Sequence, residues 1–197
     1  MRGETWGRRP AQSLDLPGVT PHHRGMKDRL TLRTWYIGVF LACAGLLAYA
    51  LYLQHQMFLD PCPLCIFQRV AFAWMGVWAL LAALHNPAGK LGRWFYGLMV
   101  VLGSAVGAGI AWRHIWLQNL PADEVPDCGP GLSYMMDTMP FLDVLDTVLT
   151  GSGSCAEVQW NFLGLSMPGW TLVWYLGLGL LTLFFVFTKT RQAGQAT

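Results

Sequence analysis

Charge is scarce in this chain. Asp, Glu, Lys and Arg make up 12% of its 197 residues, against about 25% in ordinary soluble domains. With 54% of the residues hydrophobic, one compact soluble domain could not hide so much apolar surface, and that class is excluded. A basic stripe is also missing. Lys and Arg lie beside apolar runs, which excludes a nucleic-acid-binding face. The N-terminal region has no small-residue cleavage site after its first apolar run, so a cleavable signal is not expected. Cysteine is limited to five residues. One C-x-x-C followed by two distant single cysteines is poor zinc-ribbon spacing, and no metal centre is expected.

The chain does have long apolar runs. Crossing a bilayer core takes roughly 20 apolar helical residues. Thr34 to Met57, Trp94 to Trp112 and Gly169 to Thr188 meet that test, as does Leu64 to Leu84, which carries Gln68 and Arg69 near its start. Backbone groups in lipid must be bonded within their own segment, so these runs are helices. Pro87 and Gly89 break the chain after the second run. The fold class expected is an all-α membrane protein, a four-transmembrane-helix bundle.

Of the thirteen Lys and Arg residues, all but Arg69 and Arg113 lie before the first run, between the second and third, or after the fourth. The positive-inside rule then puts both termini in the cytoplasm and the loops at 58–63 and 113–168 outside. Residues 1–33 read as a disordered cytoplasmic tail, 34–190 as the transmembrane domain and 191–197 as a second tail. The outer loop at 113–168 is long enough to expect function from it. Within it, Pro140 to Leu149 has a helical apolar side (Phe141, Leu142, Val144, Leu145, Val148, Leu149) opposite Asp143, Asp146 and Thr147. That short amphipathic helix either lies flat on the membrane or packs on the outer end of the bundle.

Cys43 sits mid-helix among Ala and Leu and reads as a small hydrophobe. Cys62, Cys65, Cys128 and Cys155 all fall on the outward side, where thiols can form disulfides if that side is a periplasm. Cys62-Pro63-Leu64-Cys65 is a C-x-x-C motif at the start of the second helix. The positive end of the helix dipole, and Arg69 one turn deeper on the same face, favour a thiolate at Cys65, the nucleophilic form. Arg69 either snorkels to the headgroups or donates to an oxygen of a bound ligand. His114 and Gln118 share a face one turn apart, and both belong either to a ligand site or to an interfacial belt with Trp112 and Trp116. Cys128 and Cys155 stand beside glycines, which suits a bond that opens and exchanges, although a structural staple would fit as well.

The stretches Pro61 to Arg69, PCPLCIFQR, and Gly153 to Trp170, GSCAEVQWNFLGLSMPGW, resemble the disulfide bond formation protein B family. These are quinone-linked thiol oxidases of bacterial inner membranes, and the resemblance covers about residues 34–190. It implies a bound ubiquinone or menaquinone and a periplasmic thioredoxin-fold oxidase of the DsbA type as partner. It matches Cys62 and Cys65 to the quinone-proximal pair, Cys128 and Cys155 to the partner-facing pair, and Arg69, His114 and Gln118 to positions around the quinone. Pro63-Leu64 between the first cysteines, and Gln68 where an acid is common, depart from the family pattern. The function expected is reoxidation of the partner with electron transfer to the quinone. The alternatives are a specialised relative serving one dedicated partner and a cysteine-rich metal-binding membrane module.

Overall fold

The computed structural model describes residues 21–59, 61–121, 123–125, 132–150, 153–156, 158 and 160–194. Cys128, most of the N-terminal tail and the last three residues therefore lie outside the described residues. In chain order the elements are α1 (Pro21–Gln56), α2 (Pro63–His85), α3 (Lys90–Gln118), α4 (Leu132–Thr138), α5 (Phe141–Thr150), α6 (Gly153–Ala156), the strands β1 (Asn161–Phe162) and β2 (Leu165–Ser166), and α7 (Met167–Gly194).

Among these residues four helices are long and apolar enough to cross a membrane: Leu32–Gln56, Pro63–His85, Lys90–Gln118 and Met167–Arg191. They correspond to the four apolar runs, and the fold is the expected all-α four-helix membrane protein. Their outward faces are apolar, with Leu41, Leu84, Leu91 and Phe184 all exposed, as suits a lipid solvent. The helices reach further than the apolar runs. The first begins at Pro21, where proline costs no hydrogen bond because the first-turn N–H groups have no helical partner. The third begins at Lys90 because Arg93, only 5% exposed, is satisfied inside the bundle. Its Nε donates to Pro87 O at 3.4 Å and its Nη1 to Lys189 O at 3.4 Å.

The bundle packs α1 on α2, α2 on α3 and α3 on α7, whereas α1 and α7 meet only slightly. Buried polar groups cross these contacts. Ser104 Oγ donates to Tyr175 O at 2.7 Å, and Trp35 Nε1 donates to Thr182 Oγ1 at 3.2 Å. Close approach of α3 and α7 depends on Gly107, since an added Cβ there would run into the Tyr175 ring. That ring is held from behind by Phe72, stacked with centroids 4.1 Å apart. Gly107→Ala is therefore expected to destabilise the bundle by about 1–3 kcal/mol, the usual cost of overpacking. Gly109→Ala, whose Cβ would meet nothing within 4 Å, should not. Detergent-solution unfolding curves of the two variants check this.

The long loop folds over one end of the bundle. Met135 of α4, Val144 and Val148 of α5 and Cys155 of α6 form a buried cluster with Cys62, Leu64 and Leu117. The amphipathic helix expected from the sequence is α5, and it packs on the bundle through the Val144–Val148 ridge. Leu142, read as part of the apolar side, points away and is 74% exposed. One residue turns a helix by about 100°, so Leu142 lies on the far side from Val144. β1 and β2 pair antiparallel, Asn161 with Ser166 and Phe162 with Leu165. Their tight turn has positive φ at Leu163 (53°) and Gly164 (82°), as in the turns that match strand twist.

Candidate functional site

The site begins with a helix start. Cys62 is the N-cap of α2 in extended conformation, and Pro63 supplies the preset φ of the first turn. The cap acceptor is sulfur: the Cys65 N–H donates to Cys62 Sγ at 3.4 Å. Folding the first turn thus brings the two cysteines together, and their sulfurs lie 3.1 Å apart. Cys62 is buried and Cys65 half-buried.

Both cysteines line a cavity of about 400 Å³ walled by α1, α2, α3, α7 and the β hairpin. That volume lies in the range of small-molecule and cofactor sites. The wall is mostly apolar and aromatic, with Leu46, Leu53, Phe72, Trp160, Phe162 and Trp174 among its residues. It lies along the α1–α7 seam, where the two helices touch least. Trp170 Nε1 donates to Phe162 O at 3.0 Å and ties the hairpin to α7 beside the cavity.

Arg69, His114 and Gln118 line the same cavity. Arg69 is fixed by α1, with Nη1 donating to Gln54 Oε1 and Nη2 to Ala50 O at 3.2 Å. A guanidinium has five N–H donors, so these two bonds leave donors over. His114 is 2% exposed. Its Nε2 lies 3.8 Å from Cys62 Sγ, and its Nδ1 lies 3.2 Å from Gln68 Nε2. Gln68 receives the Thr171 hydroxyl at Oε1 (2.8 Å), and its backbone carbonyl receives the Tyr175 hydroxyl (2.6 Å).

The structure thus brings Cys62, Cys65, Arg69, His114 and Gln118 to one cavity. Cys155, 1% exposed, is in the buried cluster with Cys62, and Cys65 packs against that cluster. Cys128 lies outside the described residues. Cys43 is buried in the separate bundle core, apart from this site. Sequence reasoning passed over Gln54 and Thr171 as site members and marked Gln68 only as a departure from the family pattern. Their one signal was polarity within or beside an apolar run, and the partner of each sits on a different helix. Cys62, Cys65 and His114 also hold their ligand atoms within 4.8 Å of one another, a set from which a thiophilic ion could take three ligands.

The family model described as Disulfide bond formation protein DsbB matches residues 32–185. A protein of Hahella chejuensis named "Disulfide bond formation protein B" is 54% identical over 165 residues, covering 83% of this chain and 96% of its own length. Its namesake in Xanthomonas axonopodis pv. citri is 50% identical over 165 residues, 84% of this chain and 96% of that one. A third, from Marinobacter nauticus, is 51% identical over 156 residues, 79% and 92% of the two chains. With a family match from residue 32 to 185, reaching into all four spanning helices, and identities near one half, this chain belongs to the disulfide bond formation protein B (DsbB) family.

Proposed function

We propose that this protein reoxidises a periplasmic thioredoxin-fold oxidase of the DsbA type and passes the electrons through two cysteine pairs to a membrane quinone. In this reading it is a multi-pass protein of the bacterial inner membrane, with both termini cytoplasmic and the cysteine-bearing loops periplasmic. The observation that carries it is the dithiol opening onto an apolar cavity that also holds a guanidinium and an imidazole. A flat apolar ring with polar oxygens fits that lining: aromatic and aliphatic walls face the ring, and Arg69 and Gln118 have donors for its oxygens, while both ring nitrogens of His114 already face Cys62 and Gln68. When bound there, a quinone accepts two electrons and two protons.

The chain's own residues do the rest. The partner's thiolate attacks the Cys128–Cys155 disulfide at Cys128, and the partner leaves oxidised once its second thiol resolves the mixed disulfide. Cys155 thiolate then attacks Cys62, freeing Cys65 as thiolate at the cavity wall. Each exchange is attack of a thiolate on a disulfide sulfur, so access and leaving group set the order. Burial of Cys155 beside Cys62 supports this hand-over. Arg69, one turn deeper than Cys65 on α2, holds positive charge where negative charge gathers. A partner as oxidising as about −120 mV needs an acceptor more oxidising still.

The test is anaerobic addition of ubiquinone to the reduced, purified full-length protein in lipid nanodiscs. Two thiols should disappear for each quinone reduced. Unchanged thiols and unreduced quinone would overturn the reading. The metal-module alternative rests on the Cys62–Cys65–His114 cluster, and elemental analysis of protein purified without chelator separates it. Arg69→Ala should raise the KM for ubiquinone by about tenfold or more, the worth of a hydrogen bond from a charged donor. Steady-state kinetics at varied quinone concentration read this, and an unchanged KM would mean that Arg69 serves α1 alone.

A further inference from the structure

A hydrogen-bond chain crosses three helices and ends on sulfur. The Thr171 hydroxyl of α7 lies 2.8 Å from Gln68 Oε1 of α2 and 2.9 Å from Pro168 O. Gln68 Nε2 faces His114 Nδ1 of α3 at 3.2 Å, and His114 Nε2 faces Cys62 Sγ at 3.8 Å. Gln68 and His114 are 4% and 2% exposed, so little water reaches either to substitute for these bonds. The chain has a direction. An amide nitrogen only donates, so Nδ1 accepts from Gln68. A neutral imidazole then carries its one proton on Nε2.

We propose that Gln68 is a positioning residue: it locks His114 as the Nε2–H tautomer, aimed at Cys62 Sγ, so that Cys62 departs as a hydrogen-bonded thiolate. The role rests on the electron relay above, in the step that returns the outer pair to the oxidised state. There Cys128 thiolate attacks Cys155 Sγ. The Cys155–Cys62 bond breaks, a Cys128–Cys155 bond forms, and the electron pair leaves on Cys62 Sγ. His114 keeps its proton throughout and lends only the hydrogen bond, which is stronger to a charged acceptor than to a neutral one.

The lock also closes the cluster to metals. Cys62, Cys65 and His114 are close enough to share an ion, but a protonated Nε2 has no lone pair to give and Nδ1 is occupied by Gln68. Gln68→Glu replaces the donor by a carboxylate that only accepts. His114 must then put its proton on Nδ1, which frees Nε2 and creates the carboxylate–histidine pairing common behind metal ligands.

Three measurements on full-length protein in nanodiscs test this. Nitrogen-15 NMR of labelled imidazole should find His114 protonated at Nε2 in the native protein and at Nδ1 in Gln68→Glu. An Nδ1–H tautomer in the native protein overturns the proposal, and that reading needs no variant to fold. Reduced Gln68→Glu protein should bind Zn²⁺ about 10- to 100-fold more tightly than reduced native protein; equal affinity means there is no lock. In protein carrying Cys65→Ala and Cys128→Ala, opening of the Cys155–Cys62 bond by dithiothreitol should slow about tenfold on adding Gln68→Leu. An unchanged rate removes the role in thiolate departure. None of the three uses quinone or partner, so failure of quinone reduction alone would count against the relay and leave the tautomer standing.

Discussion

Cys65→Ser is expected to abolish quinone reduction while leaving an outer disulfide that is already formed in place. Cys65 sits in the first turn of α2 and lines the cavity, with its sulfur 3.1 Å from Cys62 Sγ. A serine hydroxyl keeps the volume and most of the hydrogen bonding but neither ionises at neutral pH nor forms a disulfide. The inner pair would then have no second sulfur, and the electron pair could not be delivered to the cavity wall. The rate should drop to the uncatalysed background, a loss far beyond the tenfold expected of Arg69→Ala. Anaerobic ubiquinone absorbance reads the reduction, and mass spectrometry of the alkylated protein reads the outer bond. Full quinone turnover in this variant would remove Cys65 from the scheme.

The second large effect concerns the relay between the loops. Cys155→Ser is expected to leave Cys128 as a free thiol, so that a reduced DsbA-type partner finds no outer disulfide to attack and no electrons reach the inner pair. Cys155 is 1% exposed and sits with Leu64, Leu117, Val144 and Val148 in the cluster that includes Cys62. A sulfur so placed is poorly accessible to a soluble protein but lies beside the inner dithiol. Cys128, set among glycines in the sequence, suits the exposed role. Non-reducing electrophoresis after mixing with oxidised partner and quenching by alkylation should show a mixed disulfide, formed when the Cys128 thiolate opens the partner's disulfide, in Cys155→Ser and none in Cys128→Ser. A complex that forms equally with Cys128→Ser would reverse the assignment of the two sulfurs.

The bundle itself was legible because lipid enforces it: about 20 apolar residues must be helical to cross. Helix ends were less legible. Hydropathy stops at the first charge, but Arg93 is accommodated inside by two carbonyls, so α3 starts before its apolar run. The C-x-x-C, Arg69, His114 and Gln118 stood out as polar or reactive groups at helix ends, and the structure gathers them round one cavity. Gln54 and Thr171 did not stand out, and Gln68 did so only as a departure from the family pattern. Each matters through a bond to another helix, and the rotational register that aligns Thr171 with Gln68, or Gln54 with Arg69, is set by three-dimensional packing. The two-residue strands beside the cavity carry too little pattern to read, and only Gly164 hints at their turn. Leu142 was misplaced for a similar reason. A ten-residue helix rich in apolar residues offers more than one plausible inner face, and the ridge that fits its neighbours decides.

The cap of α2 has a consequence for how the protein reports its own state. The atom that satisfies the Cys65 amide is Cys62 Sγ, whose bonding would be exchanged in every turn of the proposed relay. As a thiolate it is a strong acceptor; joined to another sulfur it is a poor one. The opening turn of this helix should therefore tighten and fray in step with turnover. Deuterium uptake at that single amide would register the oxidation state of the enzyme without any dye or electrode.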